Sequence, residues 1–286
     1  MLISCIVLTR NNRDDFRETL TSVLSQRPSA LIAAGASNWP WASEIVCIDS
    51  SDIPLAEAEV TAPLQLLPPE AAKSFSVQLQ HQFPPQGVYP AMNLAVSLAR
   101  GERLIFMNAG DAFYDDTSLD RLVSAAETCR LEQGVKSRLV FGQAWIVPER
   151  GRGPRWLVPD PAVRRISRWL RFFVPNHQTV LVERDWAIAH PFRLDAPHSA
   201  DRAWLRQALA PPATYVYLPE PVAVFRLGGL SSGLPDWWTL RLRLQEPSRT
   251  GWEKVAEVVK HLLRPAAPWY PQLMRIKSAA VGLLCR

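Results

Sequence analysis

Three aspartates stand where a carboxylate could take part in chemistry. Asp49 and Asp111 each follow an apolar run, and Asp201 follows the short stretch His198-Ser199-Ala200. A carboxylate beside a phosphate group either binds a bridging metal ion or acts as a base, because bare repulsion between two anions is unfavourable. Beside a phosphate-bearing substrate, such carboxylates are therefore candidates for a metal ligand or a base.

Asp111 is the strongest candidate for a metal ligand. It ends the segment Asn108-Ala109-Gly110-Asp111, in which the glycine lets the backbone approach a ligand closely. Mg²⁺ or Mn²⁺ commonly keeps several waters and takes one or two carboxylates together with substrate phosphates. The alternative is an aspartate that only caps a turn before Phe113.

Asp49, His177 and Asp201 each have a functional and a structural interpretation. Asp49 could accept a hydrogen bond from a nucleobase or a ribose, or it could form an Asx turn. Asp201 could be the general base for an alcohol, with His177 beside it. It could equally be only the N-cap of a helix. The local sequence does not choose between these alternatives.

Composition and missing motifs exclude several classes of protein. The 286 residues are 48% apolar and 21% charged, which excludes a disordered, collagen-like or coiled-coil chain. Neither GxGxxG nor GxxxxGK followed by Ser or Thr occurs, so the phosphate cradles of dinucleotide folds and P-loop enzymes are absent. No apolar run reaches the roughly 18 residues of a membrane-spanning helix. The first residues are typical of a strand rather than of a signal peptide.

The elements that must position the candidate side chains alternate between strands and helices. Apolar runs predict buried parallel strands at Leu2–Leu8, Glu44–Ile48 and Arg103–Met107. Apolar residues at helical spacing predict helices at Phe16–Leu24, Pro90–Ala99 and Thr117–Glu132. This alternation predicts an α/β fold. Its polar loops at 9–12, 49–52 and 108–111 would meet at the carboxyl ends of the strands, where such sheets bind ligands.

Shorter elements are predicted in the rest of the chain. A third short strand is predicted at Leu64–Leu67 and a helix at Asp201–Ala208. Four further strands are predicted, at Gln143–Val147, Thr179–Val182, Tyr215–Leu218 and Val222–Phe225. The last residues, from Trp252 on, are predicted to form a basic amphipathic tail with Val255, Val259 and Leu262 on its apolar stripe.

The positive charge is concentrated in two segments. The formal net charge is +5, yet residues 150–171 and residues 238–286 each carry +6, and the remainder carries −7. Such segments indicate an anionic partner, which could be a membrane surface, a phosphate-bearing substrate or a nucleic acid. The alternative is two solvated faces. A nucleic-acid partner is not expected, because the basic residues are not interleaved with any known reading motif.

The cysteines indicate a reducing compartment. The four of them, Cys5, Cys47, Cys129 and Cys285, are far apart and form no CxxC pair. Cys5 and Cys47 lie inside apolar runs and are expected to be buried thiols rather than disulfide partners or zinc ligands. We therefore expect a cytoplasmic protein.

Seven pieces of the chain, taken together and in order, resemble the family 2 glycosyltransferases of GT-A fold. They resemble most the branch that builds bacterial exopolysaccharides of the colanic-acid type. The pieces are Ile3–Asn12 with Thr19–Gln26, Glu44–Asp49, Gly87–Asn93, Gly101–Asp111, Asn176–Gln178, His198–Asp201 and Arg226–Ser231. The resemblance runs from Ile3 to about Ser232 and does not cover the tail.

The resemblance implies a fold, a reaction and a set of site residues. The fold is a single Rossmann-like mixed sheet flanked by helices. The reaction moves a sugar with inversion from a nucleotide-diphosphate sugar to a hydroxyl of a polysaccharide or lipid-linked saccharide. Asp111 would bind Mg²⁺ or Mn²⁺, and Asp201 would be the catalytic base. The donor would be contacted by Thr9, Asn11, Asp49, Asn93, Asn108, His177 and Arg226.

The resemblance also implies an organisation of the chain and a place of action. Residues 1–236 would form the glycosyltransferase domain, with a nucleotide-binding half at 1–111 and an acceptor half at 112–236. Residues 237–286 would form the basic helical tail. Segments 150–173 and 238–286 would bind the anionic inner face of the plasma membrane.

A second class of function is a non-catalytic member that binds a nucleotide-sugar or acts as a scaffold in polysaccharide synthesis. Two departures from the branch favour it. Only one clear metal carboxylate is present, and Pro90 stands where the branch has Asp. Turnover of a nucleotide-sugar discriminates between the two classes.

Overall fold

The computed structural model describes most of the chain. The described residues are 1–29, 40–148, 154–171, 173–195, 200–227 and 270–285, together with 240–241, 244–245, 251, 254–255 and 258–259. His198, Ser199 and Gly228–Ser231 of the motifs above, and Trp252 and Leu262 of the predicted tail stripe, lie outside them.

The described part of the chain contains one mixed sheet of nine strands. They are β1 Leu2–Thr9, β2 Ala42–Asp49, β3 Phe75–His81, β4 Arg103–Phe106, β5 Ala112–Phe113, β6 Leu139–Val147, β7 Trp156–Val158, β8 Val180–Glu183 and β9 Tyr215–Arg226. Their order is β3-β2-β1-β4-β8-β6-β9-β5, with β7 paired to β6. The first four are parallel, and β8 runs antiparallel to both β4 and β6.

Helices cover both faces of this sheet. The first five in chain order are α1 Arg13–Leu24, α2 Glu57–Gln65, α3 Pro69–Ala72, α4 Val88–Leu98 and α5 Ser118–Gln133. The next four are α6 Ile166–Leu170, α7 Arg184–Ala189, α8 Ala200–Leu209 and α9 Tyr270–Leu284. None of the described helices has both the length and the apolar composition required to cross a bilayer.

Two apolar layers hold the helices against the sheet. Residues 3, 5 and 7 of β1 pack on one face with α1 and α5, whereas residues 6 and 8 pack on the other face with α4 and α8. This division follows from the strand period of two, which sends successive side chains to opposite faces. The continuous apolar run of β1 is therefore explained, because a parallel strand buried on both faces has no polar side.

The predicted short strand at Leu64–Leu67 is wrong. Leu64 belongs to α2, and both leucines pack against the core from the end of that helix. The side chain of Glu59 accepts a hydrogen bond of 2.9 Å from the Ala56 backbone N–H, which closes the first turn of α2. The third strand is instead β3, an edge strand with a half-exposed polar face.

The two strands predicted at Tyr215–Leu218 and Val222–Phe225 are one strand, β9. It pairs in parallel with β6, and the register shifts around Gly142. A Cβ on Gly142 would come within 2.9 Å of the Glu220 carbonyl oxygen. β9 therefore continues through its Pro-Glu-Pro segment with a local register shift, because Gly142 on β6 has no side chain to collide with that segment.

The four cysteines are free and buried, as was expected for Cys5 and Cys47. Cys285 packs with Val163 and Trp169 in a small cluster, which joins the end of α9 to the segment around α6. The predicted helical tail thus contains α9, and that helix docks on β7.

Candidate active site

A cleft of about 650 Å³ opens at the carboxyl ends of β1 and β4. Six of the nine predicted site residues line it: Thr9, Asn108, Asp111, His177, Asp201 and Arg226. Thr9 is the last residue of β1, and Asn108 lies just after the neighbouring parallel strand β4. His177 precedes β8, and that strand runs the other way, so its beginning lies at the same edge of the sheet.

The loop after β4 is held by α1. The hydroxyl of Thr19 donates a 2.7 Å hydrogen bond to the Asp111 carbonyl and accepts one of 3.0 Å from the Gly110 N–H. Gly110 has φ +98°, a conformation that L side chains rarely adopt. The carboxylate of Asp111 is therefore aimed at the cleft by a turn that requires glycine.

Asp111 is a buried carboxylate with a dedicated donor. Its side chain accepts a hydrogen bond of 2.8 Å from the amide nitrogen of Gln178. Burial raises the pKa of Asp111 to about 6, against the opposing effects of Gln178, His177 and Arg226. A cation beside such a buried carboxylate stabilises its ionised form.

Asp201 is the end of a chain of hydrogen bonds across the cleft. The Tyr89 hydroxyl donates to one of its carboxylate oxygens at 2.9 Å, and His177 Nδ1 lies 3.3 Å from the other. His177 Nε2 lies 3.2 Å from the amide nitrogen of Asn108. Since that amide nitrogen can only donate, Nε2 accepts and Nδ1 carries the proton toward Asp201.

These contacts keep Asp201 ionised. Burial by itself raises the pKa of the carboxyl, but the hydrogen bonds from His177 and Tyr89 outweigh it and hold the pKa of Asp201 below its usual range. The side chain remains 24% exposed, so a hydroxyl in the cleft can reach it. An ionised and oriented carboxylate beside a cleft is what general-base catalysis requires.

Arg226, at the end of β9, brings positive charge to the cleft. Its guanidinium donates a hydrogen bond of 2.8 Å to Glu18 and lies 3.8 Å from Asp15, both on α1. The side chain is 39% exposed, so these ion pairs are exchangeable with solvent. The guanidinium is available to an anion that enters the cleft.

Three predicted site residues, Asn11, Asp49 and Asn93, do not line the cleft, although all three belong to the described residues. Asn11, with φ 54°, has its side-chain amide bonded to Asp52 in both directions, at 2.8 and 2.9 Å. Asn93 forms a similar reciprocal pair with the backbone of Phe192, at 2.9 and 2.8 Å.

Asp49 has the Asx-turn geometry. Its two oxygens accept from the Ser51 and Leu55 backbone N–H groups at 2.9 and 2.6 Å. Burial raises the pKa of Asp49, but the hydrogen bonds from the Ser51 side chain and from the Leu55 and Ser51 backbone outweigh burial and lower the pKa. Asn11, Asp49 and Asn93 shape the loops beside the cleft, and their contact with a nucleotide stays a prediction.

Two residues of the site carried no predicted role. Gln178 holds Asp111, and Tyr89 holds Asp201. Both lie in segments that the sequence had already marked, Asn176–Gln178 and Gly87–Asn93. Their roles depend on partners 67 and 112 positions away in the chain, and no local pattern carries that information.

The donor set at Asp111 fits a hard divalent cation. The side-chain oxygens of Asn108 and Gln178 are buried and have no hydrogen-bond partner. Carboxylate and amide oxygens are ligand types of Mg²⁺ and Mn²⁺. Within the described ranges no group of three or more His, Cys, Asp or Glu side chains could hold a metal ion. A cation here would thus take further ligands from a phosphorylated substrate and water.

Comparison with solved structures identifies the fold. Residues 1–349 of S. aureus TarS in complex with UDP are 15% identical, with a TM-score of 0.57 over 91% of this chain and 70% of that one. The same TarS segment with UDP-GlcNAc is 16% identical, with a TM-score of 0.56 and the same coverage. GalNAc-T7 with UDP, GalNAc and Mn²⁺ is 14% identical, with a TM-score of 0.55 over 85% of this chain and 47% of that one.

Neither a protein-family model nor a curated protein matches the sequence. The structural neighbours are GT-A-type glycosyltransferases, and the curled mixed sheet flanked by helices matches theirs. The chain therefore has the GT-A fold, as the sequence predicted.

Proposed function

We propose that this protein is an inverting glycosyltransferase that moves a sugar from a nucleotide-diphosphate sugar to a hydroxyl. One observation carries the proposal. A GT-A sheet brings a buried carboxylate, Asp111, and a hydrogen-bonded ionised carboxylate, Asp201, to the same cleft. Asp111 would hold a divalent ion that offsets the charge of a departing diphosphate, and Asp201 suits removal of a proton from an alcohol.

The donor would lie along the first half of the chain, residues 1–111. Thr9 Oγ1 is buried in the cleft wall without a hydrogen-bond partner, which suits a ligand polar group. Arg226 would leave its exposed ion pair with Glu18 and bind the diphosphate. Asn11, Asp49 and Asn93 would hold the surrounding loops, and any contact with the donor would be made through those loops.

The acceptor would enter from the second half, residues 112–236. Asp201 would accept the proton of the attacking hydroxyl as that group becomes acidic in the transition state. His177 would keep its Nδ1 proton directed at Asp201, and Asn108 would fix the imidazole from the other side. A single displacement with one base and no protein nucleophile gives inversion at the transferred carbon.

Asp111, with the free side-chain oxygens of Asn108 and Gln178, would hold the Mg²⁺ or Mn²⁺ ion. A bound divalent ion supplies charge stabilisation for a diphosphate leaving group. The raised pKa of Asp111 supports this assignment, because a buried carboxylate without a counter-charge is costly to keep ionised.

We also propose that the acceptor is a saccharide, polymeric or lipid-linked, of the exopolysaccharide type, and that the protein acts in the cytoplasm on the inner face of the membrane. Arg164, Arg165, Arg168 and Arg171 are exposed around α6, while Trp169 is buried. The arginines thus suit electrostatic attraction to anionic lipid, whereas the buried Trp169 does not suit insertion. In the tail, Ile276, Leu283 and Leu284 on α9 are exposed and could contact the interface.

The test is turnover of nucleotide-sugars by the full chain. UDP-, GDP- and dTDP-sugars are incubated with Mn²⁺ and saccharide acceptors, and release of the nucleoside diphosphate is measured. Asp201→Asn should lower the rate about 10²–10⁴-fold and leave the circular dichroism spectrum unchanged. The matched control is Asp185→Asn, at a carboxylate that is 76% exposed and outside the cleft.

A rate for Asp201→Asn above about a tenth of wild type would exclude Asp201 as the base. Binding of a nucleoside diphosphate without turnover of any sugar would favour the non-catalytic alternative. Product with a retained anomeric configuration, read by NMR, would contradict the single displacement.

A further inference from the structure

A second cavity lies at the amino ends of the parallel strands, opposite the end at which the cleft opens. Its volume is about 700 Å³, and it is lined by Met1 before β1, by Glu102 and Arg103 at the start of β4, and by one side of α5. The amino ends of the parallel strands therefore carry a cavity of their own, and no part of the proposed reaction uses it.

Arg103 lies at the floor of this cavity and is only 2% exposed. Its Nη2 donates a long hydrogen bond of 3.3 Å to Ser137, whereas Nε and Nη1 are buried without a partner. Burial lowers the pKa of Arg103, against the attraction of Glu183, Glu127 and Glu102, and two buried N–H groups without an acceptor are unfavourable. The burial of Arg103 therefore needs an explanation.

Two of the three carboxylates that line the cavity are engaged with other groups. Glu127 pairs with Arg130 at 2.8 Å. Asp120 accepts a hydrogen bond of 2.9 Å from the Trp41 indole N–H. The third, Glu102, attracts the guanidinium of Arg103, but among the described residues no carboxylate lies within the 4.0 Å of an ion pair with it. The two unpaired N–H groups of Arg103 thus have no acceptor among the described side chains.

The rest of the floor is apolar. The side chains of Trp41, Val123 and Ala126 are buried there, and the rim carries the exposed polar residues Ser124 and Lys136. A hollow with an apolar floor and a few charged groups around it is the usual form of a small-molecule site. Its volume exceeds what an inorganic ion alone would fill.

We propose that this cavity binds a small organic anion, with a carboxylate or phosphate group against Arg103 and an apolar group against Trp41 and Ala126. Such an anion would supply the acceptors that Nε and Nη1 of Arg103 lack. The proposal does not depend on the glycosyltransferase activity, because the two cavities lie at opposite ends of the strands.

The test uses phenyl phosphate as the probe and thermal unfolding as the readout. Inorganic phosphate and phenol, at matched ionic strength, measure the contributions of the two halves of the probe. At about ten times its dissociation constant, phenyl phosphate should raise the Tm of the wild-type protein by roughly 2–4 °C. Inorganic phosphate and phenol should each give a smaller rise.

Arg103→Met should abolish the rise, while Arg226→Met, a change in the other cleft, should keep it. Without the probe, Arg103→Met should be as stable as wild type or more so, because the variant removes an unpaired buried charge. If that variant does not fold, Arg103→Lys keeps the charge but loses the planar guanidinium and should weaken binding at least several-fold.

Four results would overturn the proposal. The first three are the absence of any rise in wild type, an equal rise in Arg103→Met, and an equal rise with inorganic phosphate. A rise that is lost in Arg226→Met would assign the probe to the active-site cleft instead and would also overturn it.

Discussion

Gln178 donates a 2.8 Å hydrogen bond to the buried carboxylate of Asp111, and its own amide oxygen is left without a partner. The pair joins the loop after β4 to the turn before β8. One amide thereby orients a carboxylate and offers a neutral oxygen beside it. This arrangement makes the charge state of Asp111 sensitive both to pH and to a cation.

Asp111→Asn should stabilise the protein above pH 7. The folded-state pKa of about 6 exceeds the ordinary value of 3.8, so the native state binds the extra proton and its stability falls as pH rises from about 4 to about 6. The gain for the variant should be of the order of 1–3 kcal/mol at pH 8 and should vanish near pH 4. Urea unfolding at both pH values measures it. An equal effect at both would mean that ionisation of Asp111 is not the cause.

Mn²⁺ and a nucleoside diphosphate should bind cooperatively to the wild-type protein and independently of each other to the Asp111→Asn variant. The carboxylate and the phosphates would share the ion, so removing the carboxylate charge removes the coupling. Calorimetric titration of the nucleotide, with and without Mn²⁺, gives the coupling directly. Asp115→Asn, outside the cleft, serves as a control that retains it. Wild-type affinity that is indifferent to Mn²⁺ would contradict the metal assignment.

Tyr89→Phe should move the acidic limb of the pH–rate profile upward by about one to two pH units. The variant removes the 2.9 Å hydrogen bond to Asp201, and a bond to a charged group is worth about 1.5–3 kcal/mol. Since the hydrogen bonds to this carboxylate hold its pKa low, losing one raises it. The rate at high pH should change little. A uniform loss of rate at every pH would indicate that Tyr89 acts only by packing.

Gly101→Ala should destabilise the fold by about 1–3 kcal/mol or more. A Cβ at Gly101 would lie 2.5 Å from the Ser4 backbone nitrogen, and backbone cannot yield cheaply. The N–H of Gly101 also donates to the Ser4 hydroxyl and to the buried Glu44, at 2.8 and 2.9 Å. Gly251→Ala is the control, because nothing lies within 4 Å of its added Cβ. Equal midpoints of urea unfolding for the two variants would contradict the close approach.

Part of the fold follows from the sequence because the strands β1, β2 and β4 are buried on both faces. The apolar runs that form β1, β2 and β4 leave no alternative to interior strands. β3 escaped prediction because it is an edge strand whose polar Gln78 and Gln80 resemble a loop.

The candidate site was only partly predictable. Asp111, His177 and Asp201 follow strands or begin helices, and a local pattern marks them. Whether Asp49 faces a ligand or its own loop depends on contacts with Ser51 and Leu55. The role of the basic segment around Trp169 also depends on distant contacts. Its spacing predicts an amphipathic surface, but the Trp169 side chain packs inward against Cys285 and Val163.

The pairing of β4 with β8 has a mechanical consequence. The two halves of the cleft meet there along two aligned residue pairs, Arg103 with Glu183 and Leu104 with Val182. A slip of one residue along this seam would carry His177 about 3.3 Å past Asn108 and turn every β8 side chain to the opposite face. The placement of His177 relative to Asn108 therefore depends on the shear stiffness of one short antiparallel seam, and substitutions there would disturb the cleft from the far end of the strands.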